Sequence, residues 1–91
     1  MTHEFAKYND GTIAVFSNIA KKENGEEYIR ITFERTTDNG FDTFVVELPS
    51  YEIILDEGNY TQNEKKDFMS IVERGSSFFF KYAREGGIQI A

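Results

Sequence analysis

Three turn signals lie in the first forty residues of the chain: Asn9-Asp10-Gly11, Asn24-Gly25 and Asp38-Asn39-Gly40. Each sits between segments in which apolar and polar residues alternate, the pattern of strands joined by tight hairpins. Together they demand an antiparallel meander of four strands, expected near Glu4–Tyr8, Thr12–Lys21, Glu27–Thr36 and Phe41–Leu48, with Pro49 closing the last.

Alternation assigns the faces, because successive strand side chains point to opposite sides. Ile29, Ile31 and Phe33 form one face of the third strand and Phe44, Val46 and Leu48 one face of the fourth, and these are the expected core. A two-residue turn at Asn39-Gly40 pairs Asp38 with Phe41, Phe33 with Val46 and Ile31 with Leu48, which keeps both sets on one side. At the second turn a two-residue loop would misplace Ile13, Val15 and Ile19, since a slip of one residue flips every side chain. A three-residue loop of Glu23, Asn24 and Gly25, with Gly25 left-handed as a bulge, pairs Ile19 with Ile29 and Val15 with Phe33. The first turn leaves two registers open: Asp10-Gly11 alone sends Ala6 and Tyr8 inward, and a three-residue loop sends Phe5 inward.

These registers turn Phe16, Tyr28 and Val45 outward among Asn18, Arg30, Thr32, Glu34 and Glu47, with Phe5 or Tyr8 beside Phe16. Adjacent exposed aromatics mark interaction surfaces. One helix covers only one face of such a sheet, so this second face is expected to form a weak homodimer or to dock a protein partner.

After Pro49 the stretch Ser50-Tyr51-Glu52-Ile53-Ile54-Leu55 has no clean period and fits a short fifth strand or one helical turn. From Thr61 the signal sharpens, because Thr61 followed by Glu64 forms a capping box that satisfies two backbone amides. The apolar stripe Phe68, Ile71, Val72, Gly75, Phe78 or Phe79, Tyr82 and Ala83 predicts one helix over 62–85, with Gly75 giving the helix room to approach the sheet. A break at Gly75, with Ser76 capping a second helix, is the alternative. Three consecutive phenylalanines, 78–80, cannot all face one core at 100° per residue. Phe80 is expected farthest from the stripe, on the flank of Met69, either covered by Ile53–Leu55 or free for a partner. Gly86 and Gly87 supply a helix stop, and Ile88 to Ile90 a short strand or tail.

The expected architecture is thus a single α+β domain over 1–91: strands within about 4–48, a loop over 49–60, a helix over about 62–85 and a tail over 86–91. Ninety-one residues suffice for a modest core. It must come from nine Phe, five Tyr and the branched aliphatics, because Trp and Cys are absent. Without cysteine there is no disulfide and no thiolate metal site.

Charge argues against nucleic acid as a partner, since the net charge is -6 and phosphate binding needs clustered Lys and Arg. Between Arg35 and Lys65 no basic residue occurs, whereas Asp38, Asp42, Asp56 and Glu57 all fall there. That interval reads as a solvated surface or as an acidic docking face for a basic partner. The first residues, MTHEFAKYNDG, show no signal-peptide pattern, and no apolar run approaches a membrane span, so a soluble cytoplasmic protein is expected.

Catalytic chemistry has little to build on. The single histidine, His3, is near a terminus, Asp56-Glu57 reads as a turn beside Gly58, and no phosphate-binding, zinc or calcium motif is present. No cofactor, metal ligand or catalytic set is assigned. Tyr51, Tyr60 and Tyr82 are the available hydrogen-bond donors for a pocket. Three functional readings remain: a non-catalytic protein–protein interaction module, an acidic inhibitor or immunity-like protein, and a small enzyme with a pocket at the junction of helix and loop.

Overall fold

The computed structural model describes residues 2–86, so the expected tail over 88–90 lies outside the described residues. The chain runs β1 (Thr2–Lys7), β2 (Ile13–Ser17), β3 (Ala20–Lys21), β4 (Glu27–Thr37), β5 (Gly40–Leu48), β6 (Ile53–Glu57) and α1 (Gln62–Arg84). It is an α+β fold, an antiparallel sheet of six strands with one C-terminal helix. The order across the sheet is β1-β2-β4-β5-β6, with β3 paired to β4.

Two of these strands exceed the expected four. The segment after Pro49 forms β6, and the expected second strand is broken into β2 and β3. The break changes the register by one residue. Ala20 lies opposite Tyr28 and Lys21 opposite Glu27, the offset of the predicted three-residue loop, and Gly25 has its left-handed φ of 87°. Beyond the break, however, Ala14 faces Phe33 and Phe16 faces Ile31. The Ser17 hydroxyl accepts the Arg30 backbone amide at 2.9 Å, supplying the bond that the interrupted ladder lacks.

That slip overturns the expected face of the strand. Phe16, expected outward, has no exposed surface and packs with Ala14 in the core, whereas Ile13 and Val15 lie on the other side. The first hairpin takes the three-residue loop, with the Tyr8 amide donating to the Thr12 carbonyl at 2.9 Å, yet Phe5, Ala6 and Tyr8 all pack on the core side. The register shifts between Glu4 and Ala6, so the bulged Phe5 packs against Phe79 (ring centroids 4.7 Å) while Ala6 lies opposite Ala14. Tyr8 packs against Phe68 on the same side, so neither Phe5 nor Tyr8 joins the outer face.

The third hairpin has Asp38 and Asn39 in the loop and Thr37 opposite Gly40. Phe33 therefore faces Phe44, and Ile31 faces Val46, two residues from the expected partners. A displacement of two preserves the faces. Ile29, Ile31, Phe33, Phe44, Val46 and Leu48 all lie in the core as expected.

The capping box at Thr61 and Glu64 is present in both directions, and α1 runs unbroken through Gly75. Phe68, Val72, Phe79 and Ala83 bury its inner face, with Phe68 stacked on Phe33 at 4.2 Å. Tyr82, expected in the stripe, is half-buried. Phe79 takes the centre of the stripe. Phe80 on one flank is half-buried against the core, and Phe78 on the other is the exposed ring at 41%.

Candidate functional site

The densest polar cluster lies where the sheet meets the start of the helix. Arg35 of β4 donates from Nε to Asp42 (2.6 Å) and from Nη1 to Asp10 (2.8 Å) and Glu64 (3.2 Å), and its guanidinium sits 4.5 Å from the Tyr60 ring centroid. Asp42 also accepts the Asn59 amide at 2.8 Å, and Asp10 accepts the Thr12 amide at 2.9 Å. The Tyr60 and Thr12 hydroxyls are bonded to each other at 2.9 Å. Asp42, expected on an acidic docking face, is 3% exposed and belongs to this cluster.

Hydrogen bonds from Arg35 and Asn59 hold the Asp42 carboxyl below the usual range, and those from Thr12 and Arg35 do the same for Asp10. Burial pushes the Tyr60 phenol up. The helix–loop junction beside the cluster holds a hollow of about 210 Å3 lined by Tyr8, Asp10, Thr12, Glu64, Asp67 and Phe68 among others. Asp10 and Glu64 there are committed to Arg35, and Thr12 to Tyr60. The cluster joins four segments of chain and works as a clamp.

The outer face of the sheet carries a different surface from the expected one. Its central row runs Val15, Thr32, Val45 and Leu55 in register across four strands. Val45 is buried at this face and Tyr28 is half-buried between Lys22 and Arg30, each within 6 Å of its ring. Glu47, also on this side, is almost fully buried, with Lys22 at 2.9 Å, the Ser50 hydroxyl at 3.4 Å and Arg30 at 3.7 Å. The hydrogen bond from Lys22 holds its carboxyl low. Of the four expected interaction residues, Phe16 is core, Phe80 lies on the helix and only Tyr28 and Val45 share the outer face.

Width explains where free surface remains. Five strands side by side span about 19 Å at about 4.8 Å each, and one helix is about 10 Å across. Both flanks of α1 are therefore left open. On the β1 flank lies a shallow groove bordered by Phe5, Ile71, Arg74 and Phe78. On the β6 flank lies a cleft of about 400 Å3 with Phe44, Ile53 and Met69 as apolar lining and Asp56, Lys65, Lys66 and Glu73 around it.

This second cleft adjoins β6, the end strand in the sheet order. Ile53 is 51% exposed, Leu55 is exposed, and Ile54 is taken up by a register shift opposite Val45 and Val46. Asp56 points to the helix side and pairs with Lys65 at 2.9 Å. Glu57 is exposed on the outer side, opposite Thr43, and Asp38 is exposed at the distant β4-β5 turn. The expected acidic set is thus not brought together. From the sequence Ile53 and Met69 enter only around Phe80, as its cover and its flank, and Lys66 not at all; the signal present for a site was Glu52-Ile53-Ile54-Leu55-Asp56-Glu57, an apolar triplet between acids after a proline.

Among the described residues no three His, Asp or Glu side chains are grouped to hold a metal, and no helix is long and apolar enough to cross a membrane. No protein-family model matches the chain, and no match to it is found among the curated proteins or the solved structures.

Proposed function

We propose that the chain is a non-catalytic protein–protein interaction module that takes an extended segment of a partner on the free edge of β6. The observation that carries this reading is the coincidence of that edge with the 400 Å3 cleft and the exposed side chains of Ile53 and Leu55. An edge strand offers unpaired backbone amides and carbonyls, and strand addition draws affinity from them while adjoining pockets select side chains. The partner segment pairs with β6 and places one apolar side chain against Ile53 and Met69.

The test is partner capture by the wild-type protein and by Ile53→Lys combined with Leu55→Lys. Both positions are exposed, so the melt of the double variant should stay close to wild type, within about 0.5 kcal/mol per site. Capture should be lost. Undiminished capture by the folded double variant would overturn the reading. The inhibitor reading is the weaker one, because Asp42 is spent on Arg35 and Asp56 on Lys65.

A further inference from the structure

We infer that the segment taken up by β6 is basic at both ends of an apolar centre, with Lys or Arg at alternate positions. This rests on the edge-docking reading above. The Glu52 carbonyl accepts the Glu47 amide at 2.8 Å, which places Glu52 opposite Glu47 and on the outer side of the sheet. Leu55 lies opposite Val45 and Glu57 opposite Thr43, on that same side. The outer side of β6 therefore reads Glu52, Leu55, Glu57, the register shift at Ile54 absorbing the extra residue. Its inner side reads Ile53 and Asp56, and Asp56 already has Lys65.

Side chains directly opposite in an antiparallel pair attract when their charges differ and repel when they match. A strand laid on β6 meets two exposed carboxylates flanking a leucine on one side and, on the other, the cleft with Ile53 and Met69 in its apolar lining. The complementary segment carries a cation, an apolar residue and a cation at every second position, with an apolar residue between them for the cleft. A second copy of the chain fits badly: β6 against β6 in antiparallel register sets Glu52 against Glu57, and each chain carries a net charge of -6. The short strand, its register shift and its acids are the devices by which edges avoid like-with-like pairing.

The experiment titrates the intact, isotopically labelled protein with a ten-residue peptide centred on Lys-Leu-Val-Leu-Lys and with its Glu-Leu-Val-Leu-Glu counterpart. The basic peptide should shift the amide signals of 53–57 and bind about tenfold more tightly than the acidic one. Its affinity should fall between about 50 mM and about 500 mM salt. Glu52→Lys with Glu57→Lys, both exposed positions, should reverse the order of the two peptides while the melt is kept. Equal binding of both peptides at β6, unmoved by the charge reversal, would overturn the basic-segment inference and leave edge docking standing. Signals at 53–57 that respond to neither peptide would overturn both. A wild-type dimer in sedimentation that Leu55→Lys dissolves would show that the occupant is a second copy, which also overturns the inference.

Discussion

Arg35 shows how one residue can decide the worth of its neighbours. Four acidic residues in the same sequence interval, Asp38, Asp42, Asp56 and Glu57, are chemically alike, yet only Asp42 is buried against the guanidinium. Asp42→Asn should lower the melting temperature clearly, since it removes a buried carboxylate that partners a half-buried guanidinium. Asp38→Asn should leave it unchanged, because an exposed charge contributes little. A pair of thermal melts checks this, and equal melts would mean the cluster is not a clamp.

The same residues set the pH limits. Asp42, Asp10, Glu47 and Glu27 are all held below their ordinary values, by Arg35, by the Thr12 amide, by Lys22 and by Arg84 respectively. A carboxyl depressed in the fold contributes stability above its unfolded value and loses it as pH falls, so unfolding midpoints in urea should drop below about pH 4. Burial raises Tyr8 and Tyr60, whose neutral forms the fold favours, so stability should also decline above about pH 10. Asp42→Asn should flatten the acid limb.

At the scale of elements, the helix and β4 are matched end to end. Glu64 reaches Arg35 at one end, and Arg84 makes a two-point contact with Glu27 at the other, at 2.9 and 3.2 Å. The lengths agree, since eight strand residues span about 27 Å and twenty helical residues about 30 Å. Between these clamps Phe79 fills the centre of the interface, and Phe79→Ala should cost about 3 to 5 kcal/mol by leaving a cavity.

Gly75 was expected to let the helix approach the sheet. Instead a Cβ there would stand 2.8 Å from Cε2 of Phe79, so the glycine makes room for a ring of its own helix. Long helical side chains lean back toward the N-terminus, over the preceding turn. Gly75→Leu should therefore cost about 1 to 3 kcal/mol by overpacking, measured by urea unfolding, and combining it with Phe79→Ala should recover part of that loss. The helix, its capping box and its continuous stripe were legible because all three are local. The partner of Gly75 was not, because stripe position alone does not say which side chain occupies the gap.

For the whole molecule, the decisive event is the one-residue slip between β2 and β3. It puts Ala14, Phe16 and Ile19 toward the helix and so completes an aromatic core in which Phe16 meets Phe79 at 5.5 Å. Phe16→Ala should cost about 3 to 5 kcal/mol, and Val15→Ala on the outer side much less. Denaturation of the two variants side by side distinguishes the observed face from the expected one. Phe16→Asp, which would probe a surface had Phe16 faced outward, should unfold the domain by burying an unpaired charge.

Sequence alone determined where the hairpins fall, the loop of Glu23 to Gly25, the inward faces of β4 and β5 and the extent of the helix. Each of these follows from periodicity or from turn and cap chemistry within a few residues. In the second strand both alternations are amphipathic, Ile13 with Val15 and Ala14 with Phe16, so no local rule separates them. Only the tertiary structure decided between them, because the choice depends on which set fills the space beneath Phe79, and on a serine hydroxyl able to replace the ladder bond that the slip removes. The candidate site shares that origin. The apolar triplet Ile53 to Leu55 was visible, but the cleft beside it exists only because one helix is narrower than the sheet it covers.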